Sequence, residues 1–191
     1  MTRTLALALA ASSILATSAI AAPPPPPQPK IVVIDRAAIL QYSKVGQDIA
    51  RQVQGYAAQA KKDLTGQGQS LQAEGRQLQQ QVAILAPDVK QKRVAAFQAK
   101  EQALQGAAQK KDDQIKAGFF QARQAMEQQL GPILQEIVKE RGANLVLDKQ
   151  AVVFATAGGF DITGDAINRL NQKMPSFKVN LNAPPPAPPK K

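Results

Sequence analysis

The residues able to do chemistry are few and poorly grouped. Asp161 and Asp165 lie four apart at a predicted helix start, Asp112 and Asp113 sit between Lys111 and Lys116, and Ser43, Ser70 and Ser176 are the only serines beyond the N-terminal apolar run. The chain has no His and no Cys. Triad and thiol chemistries are therefore excluded, and a metal would have to be held by carboxylates alone. Helix capping and dipole complementation account for Asp161 and Asp165, and a solvated, ion-paired helix face accounts for Asp112 and Asp113. Gly158-Gly159 is not followed by the Lys-Ser/Thr of a phosphate loop. The expectation is a protein without enzymatic activity or cofactor, acting on any partner independently of ATP.

What remains is charge. The 191 residues carry 24 Lys and Arg against 14 Asp and Glu, a net charge of +10. Between Ala60 and Gln124 there are eleven basic and six acidic residues. Lys61, Lys62, Arg76, Lys90, Lys92, Arg93, Lys100, Lys110 and Lys111 form a diffuse candidate binding surface in this stretch. Such a surface suits acidic polypeptide, anionic lipid headgroups or nucleic acid. Nucleic acid is disfavoured as a physiological partner, because Phe97, Phe119 and Phe120 are the only aromatic residues of the return arm available for stacking.

The elements that must carry these residues start with an N-terminal segment of a different kind. Residues 1–21 read as a cleavable signal peptide: Arg3, the apolar run LALALAASSILA, then the small residues Ala19 and Ala21 around Ile20. Its removal takes away one basic residue and predicts export, with a bacterial periplasm as the destination. Eleven of the fourteen prolines fall in two flanks, a linker at 22–29 and a tail at 182–191, which read as extended spacers.

Between the flanks, IVVID at 31–35 reads as a short buried strand. Ala57, Leu64, Leu71, Leu78 and Leu85 then recur every seven residues. The positions beside them, Lys61, Gly68, Gly75 and Val82, make a thin seam. Ala86-Pro87-Asp88 marks the tip of a helical hairpin, with Asp88 as the cap of the return helix, which runs to Arg141 and ends at Gly142. A kink is expected at Gly131-Pro132. Eight glycines fall inside predicted helix, Gly46, Gly55, Gly66, Gly68, Gly75, Gly106, Gly118 and Gly131. Each costs about 1 kcal/mol relative to Ala, which predicts arms softer than a rigid coiled coil.

Two strands are expected after the hairpin, Asn144–Leu147 and Ala151–Ala155, then a turn at Ala157-Gly158-Gly159. A helix capped by Thr163 follows, with a weak edge strand over Phe177, Val179 and Leu181. The fold class is α+β: a coiled-coil arm, residues 45–132 with its tip near 86–88, projects from a small β-rich body built from 30–44 and 133–181. A body of this size without disulfides needs partner subunits. Ile31, Val33, Leu145, Leu147, Val152 and Phe154 are the residues expected in that oligomerisation body.

The order KIVVIDRAAIL, long hairpin, LGPILQEIVKERGANLVLDKQAVVF and DITGDAINRLN resembles the Skp/OmpH family of periplasmic chaperones. The resemblance implies a jellyfish-like homotrimer whose arms surround a cavity for unfolded outer-membrane proteins, held without ATP. The Pro-rich flanks and the FKVNL segment depart from the family pattern. Two other readings stay open from the residues: an envelope spacer or scaffold, and a binder of lipopolysaccharide, anionic lipid or another polyanion.

Overall fold

The computed structural model describes residues 28–153 and 159–184. The signal-peptide region, Phe154, Gly158 and the end of the Pro-rich tail lie outside the described residues. The chain is mostly helical, with a two-stranded sheet. Its order is β1 (Ile31–Ile34), α1 (Arg36–Tyr42), α2 (Lys44–Gln81), α3 (Pro87–Arg141), β2 (Leu145–Asp148), a 3-10 turn (Lys149–Ala151) and α4 (Thr163–Lys173).

β1 and β2 pair in parallel, with Ile31 beside Leu145, Val32 beside Val146, Val33 beside Leu147 and Ile34 beside Asp148. On the other side of β1, Val33 bridges to Asp161: its N–H donates to the Phe160 carbonyl at 2.8 Å and its own carbonyl accepts from Ile162 at 2.9 Å. β1 is therefore central, which is why Val32, Val33 and Ile34 are all buried. Asn144 closes the sheet's first end. Its side-chain oxygen accepts from the Lys30 N–H at 2.9 Å and its backbone N–H donates to the Lys30 carbonyl at 3.0 Å.

The expected long first helix is broken near its start. Asp35 caps α1 by accepting from the Ala38 N–H at 2.8 Å. Ser43, fully buried, closes α1 through its N–H to the Ile39 carbonyl and opens α2 through its hydroxyl, which accepts from Gly46 N–H at 3.1 Å. A Cβ on Gly46 would lie 1.9 Å from the Leu40 carbonyl oxygen, so the two helices can meet this closely only at a glycine. The result folds Ile39, Val45 and Ile49 into one core with Val32, Ile34, Met126, Leu130, Ile133, Ile137, Ile162 and Leu170.

Other expectations need correction. Ala151–Ala155 forms no second strand in its described part: Ala151 closes the 3-10 turn, and Val153 is wholly exposed. β2 pairs with β1, the IVVID strand expected as a candidate partner, and the 3-10 turn carries the chain away before a second strand can add. Asp88 is not the cap of α3. Ala86 holds that position and Pro87 begins the helix, where its missing N–H costs nothing, leaving Asp88 in the first turn. Thr163 does not cap α4 either; its hydroxyl accepts from Asp35 N–H at 2.9 Å while Asp161 accepts from Thr163 N–H at 2.9 Å. That exchange ties α4 to the sheet. α3 runs unbroken through Pro132 and ends at Gly142, whose φ of 59° is left-handed, as a helix-ending glycine should be. Residues 177–180 belong to no strand, and Leu181-Asn182 form a turn closed by the Ala183 N–H to the Asn180 carbonyl at 3.2 Å.

At 38 and 55 residues, α2 and α3 reach about 57 Å and about 82 Å at ~1.5 Å per residue. They run antiparallel. Asp63 meets Lys111, Glu74 meets Lys100 and Gln81 meets Arg93 in one steady register toward the tip.

Candidate client-binding arm

The arm's surface follows from its thin seam. Small residues at facing positions cannot fill the space between two helices, so clefts open along the interface. One, of about 580 Å³, is lined by Ala57, Ala60, Lys61, Leu64, Leu104, Ala108, Lys111 and Ile115. A second, of about 730 Å³, is lined by Lys62, Asp63, Gly66, Ser70, Leu71, Glu74, Lys100, Ala103, Leu104 and Ala107. Each is an apolar trough with charged residues on its lining.

Four of the nine expected binding residues therefore line these grooves: Lys61 and Lys111 the first, Lys62 and Lys100 the second. Two of the four are engaged. Lys100 pairs with Glu74 at 2.6 Å and Lys111 with Asp63 at 3.5 Å. Arg93 donates to Gln81 at 2.8 Å nearer the tip. Among the described residues Lys61, Lys62, Arg76, Lys90, Lys92 and Lys110 enter no ion pair, and all six are exposed. Lys116, by contrast, is held by a hydrogen bond from its ammonium to Asp112, reinforced by the opposite charge, and its pKa is raised.

The apolar half of this surface, expected from the thin seam and the VAILAPDV tip, has definite members. Ile84 is 85% exposed at the tip, with Val89 exposed nearby and Phe120 exposed toward the base of α3. Ile84 was visible as an apolar residue between predicted helices; the grooves were not, because they depend on which residues of the two helices face one another. The glycine reading also changes. A Cβ on Gly75 would lie 3.0 Å from the Phe97 ring, so this glycine is the seat of an aromatic side chain rather than a soft point. Gly55, Gly66 and Gly106 have open space where a Cβ would sit.

The expected body residues divide by face. Side chains alternate across a strand, so Val32, Ile34 and Val146 meet the helical core, while Ile31, Val33, Leu145 and Leu147 share the opposite face. On that outer face Ile31 is 41% and Leu145 43% exposed. Val152 is half-buried, and Phe154 lies outside the described residues. Among the described residues no cluster of His, Cys, Asp or Glu has the makings of a metal site. No helix there is long and apolar enough to cross a membrane.

The sequence pattern of the family described as outer membrane protein (OmpH-like) matches residues 30–170. No curated protein matches by sequence. Among solved structures, one from Caulobacter crescentus CB15, proposed to be an OmpH-like outer membrane chaperone, superposes with a TM-score of 0.73 at 22% identity. The match covers 81% of this chain and 91% of that one, and establishes a shared fold.

Proposed function

The chain belongs to the OmpH-like family of outer membrane proteins, and from that premise we propose that it is an ATP-independent holdase chaperone of the periplasm. Its clients are unfolded outer-membrane proteins, retained between the arms of a homotrimer. The observation that carries this reading is the projecting hairpin whose apolar grooves are lined in part by Lys61, Lys62, Lys100 and Lys111. An unfolded β-barrel chain offers alternating apolar and polar residues. Such a chain is drawn in by charge and held by short apolar contacts, each weak and together sufficient across several arms. Arg76, Lys90, Lys92, Arg93 and Lys110 extend the attraction toward the tip. No single residue is indispensable in this mechanism, and neither metal nor nucleotide takes part.

The outer sheet face with Ile31, Val33, Leu145 and Leu147 supports association of protomers through the body, since an apolar face beside a small core is stabilised by burial against copies of itself. Export by residues 1–21 would place the assembly where its clients pass.

The test is light scattering during dilution of a urea-denatured β-barrel membrane protein. Suppression of aggregation at a small molar excess of the mature chain is expected, and no suppression at that excess overturns the reading. Reversing the charge of Lys61, Lys62, Lys90 and Lys92 together is expected to slow capture several-fold, most at low salt. Binding that is equally strong for a simple polyanion, with the same salt slope, would instead favour a polyanion or lipopolysaccharide binder.

A further inference from the structure

The family pattern ends at residue 170; after Lys173 the chain leaves α4 and lies along the base of the hairpin without regular secondary structure. Gln52 of α2 receives it as a neighbouring strand would. Its amide N–H donates to the Phe177 carbonyl at 2.7 Å, and its amide oxygen accepts from the Val179 N–H at 2.9 Å. Asp48 accepts from the Phe177 N–H at 3.3 Å and from the Gln52 amide at 2.8 Å, which fixes that amide's orientation. One step further the segment reaches α3. A Cβ on Gly118 would lie 2.9 Å from both the Asn180 carbonyl oxygen and Val179 Cγ1. Val179 is 2% exposed.

One short segment thus grips both helices at the same height. We propose that Phe177–Ala183 is a strap that makes the base of the arm one rigid piece with the body and confines bending to the arm beyond Tyr56 and Gly118. The distal arm differs in the required sense. The open grooves begin at Ala57, and Gly66 and Gly106 lie between the ion pairs Asp63–Lys111 and Glu74–Lys100 with no packing neighbour; Gly55 and Gly131 also lack one, but they adjoin Tyr56, Leu130 and Ile133, which the core holds. A helix glycine without such a neighbour weakens its helix by about 1 kcal/mol and gains no contact in return. Gly118 is the opposite case, a glycine filled by the strap. The proposal is independent of whether the arms hold clients.

Gly118→Ala in the full chain separates the alternatives by sign, because Ala is the better helix former and by itself slows local opening. Hydrogen exchange read by mass spectrometry is expected to accelerate about tenfold over residues 177–183 and 44–56. Unchanged or slower exchange there, or acceleration shared equally by β1 and β2, overturns the strap. Gln52→Ala, which removes the amide without adding bulk, is expected to act in the same direction. The mechanical half is read with spin labels, since the chain has no native Cys. Labels on Gln69→Cys and Asn168→Cys, in chains diluted into unlabelled ones, report the angle between arm and body. A broader distance distribution with Gly118→Ala is expected; an unchanged width reduces the segment to ordinary core packing and overturns the proposal.

Discussion

Arg169 of α4 reaches Glu140 at 2.5 Å and Glu136 at 3.6 Å, and Lys173 reaches Glu136 at 2.9 Å. These contacts pin the short fourth helix to the end of α3. The hydrogen bond from Lys173 and its charge hold Glu136 below the usual carboxylate range, and the hydrogen bond from Arg169 does the same for Glu140. Asp148 is lowered first by the Gln150 N–H and then by Arg36. A carboxylate whose pKa falls on folding binds fewer protons in the native state, so its contribution is present above the unfolded value and is lost as pH falls through the folded one. Stability in urea is accordingly expected to hold from pH 7 to about pH 5 and to decline below about pH 4.5. Glu140→Gln should flatten part of that decline, and 0.5 M salt should shrink it, since all these groups are solvent-facing. A urea midpoint constant down to pH 3 would contradict this account. At this scale the sequence was only partly legible. The lysines and arginines could be counted, but their partners come from elements up to 112 residues away, as with Arg36 and Asp148, and Thr163, read as a cap, turns out to accept from Asp35 across the fold.

The two long helices were the most legible elements, because a seven-residue repeat over four turns of the pattern and a Pro-Asp step leave little else for the chain to do. Gly142 was equally readable, since a left-handed residue after a basic last turn is what ends a helix. The break at Ser43 was not, for it contains no Pro and rests on one buried serine whose backbone N–H closes one helix and whose hydroxyl opens the next. The partner of β2 was legible too, since IVVID is the apolar run able to pair with it; what stayed hidden is that Val152 and Val153, apolar as they are, belong to no strand. Within the arm the seam is uneven. Phe97 on Gly75 is its one aromatic anchor in a stretch otherwise held by Leu, Ala and ion pairs. Phe97→Ala is therefore expected to raise hydrogen exchange in residues 68–85 and 90–104 about tenfold while leaving β1, β2 and α4 unchanged. Acceleration spread over the body as well would mean that arm and body open as one unit.

For the whole molecule the decisive quantity is the mismatch between a small core and a long projection. The sheet has two strands and an outer face on which Ile31 and Leu145 stand exposed side by side. Leu145→Asp is expected to convert an oligomer into a monomer in sedimentation velocity, with little change in helicity, because a side chain 43% exposed within its own protomer is dispensable to that protomer's fold. A wild-type monomer would remove both the assembly and its cavity. The parallel pairing of residues 31–34 with 145–148 also sets a timetable. A growing chain completes β1 long before β2, its strand partner, exists, and the whole hairpin must be made in between. Local helix contacts form quickly, whereas closing a loop of more than a hundred residues is slow. Each newborn protomer should thus pass through an arm-first intermediate with β1 bare, and a prematurely terminated chain would lack β2 and with it any surface for joining its siblings. On this timetable, completion of synthesis would be the licence to assemble.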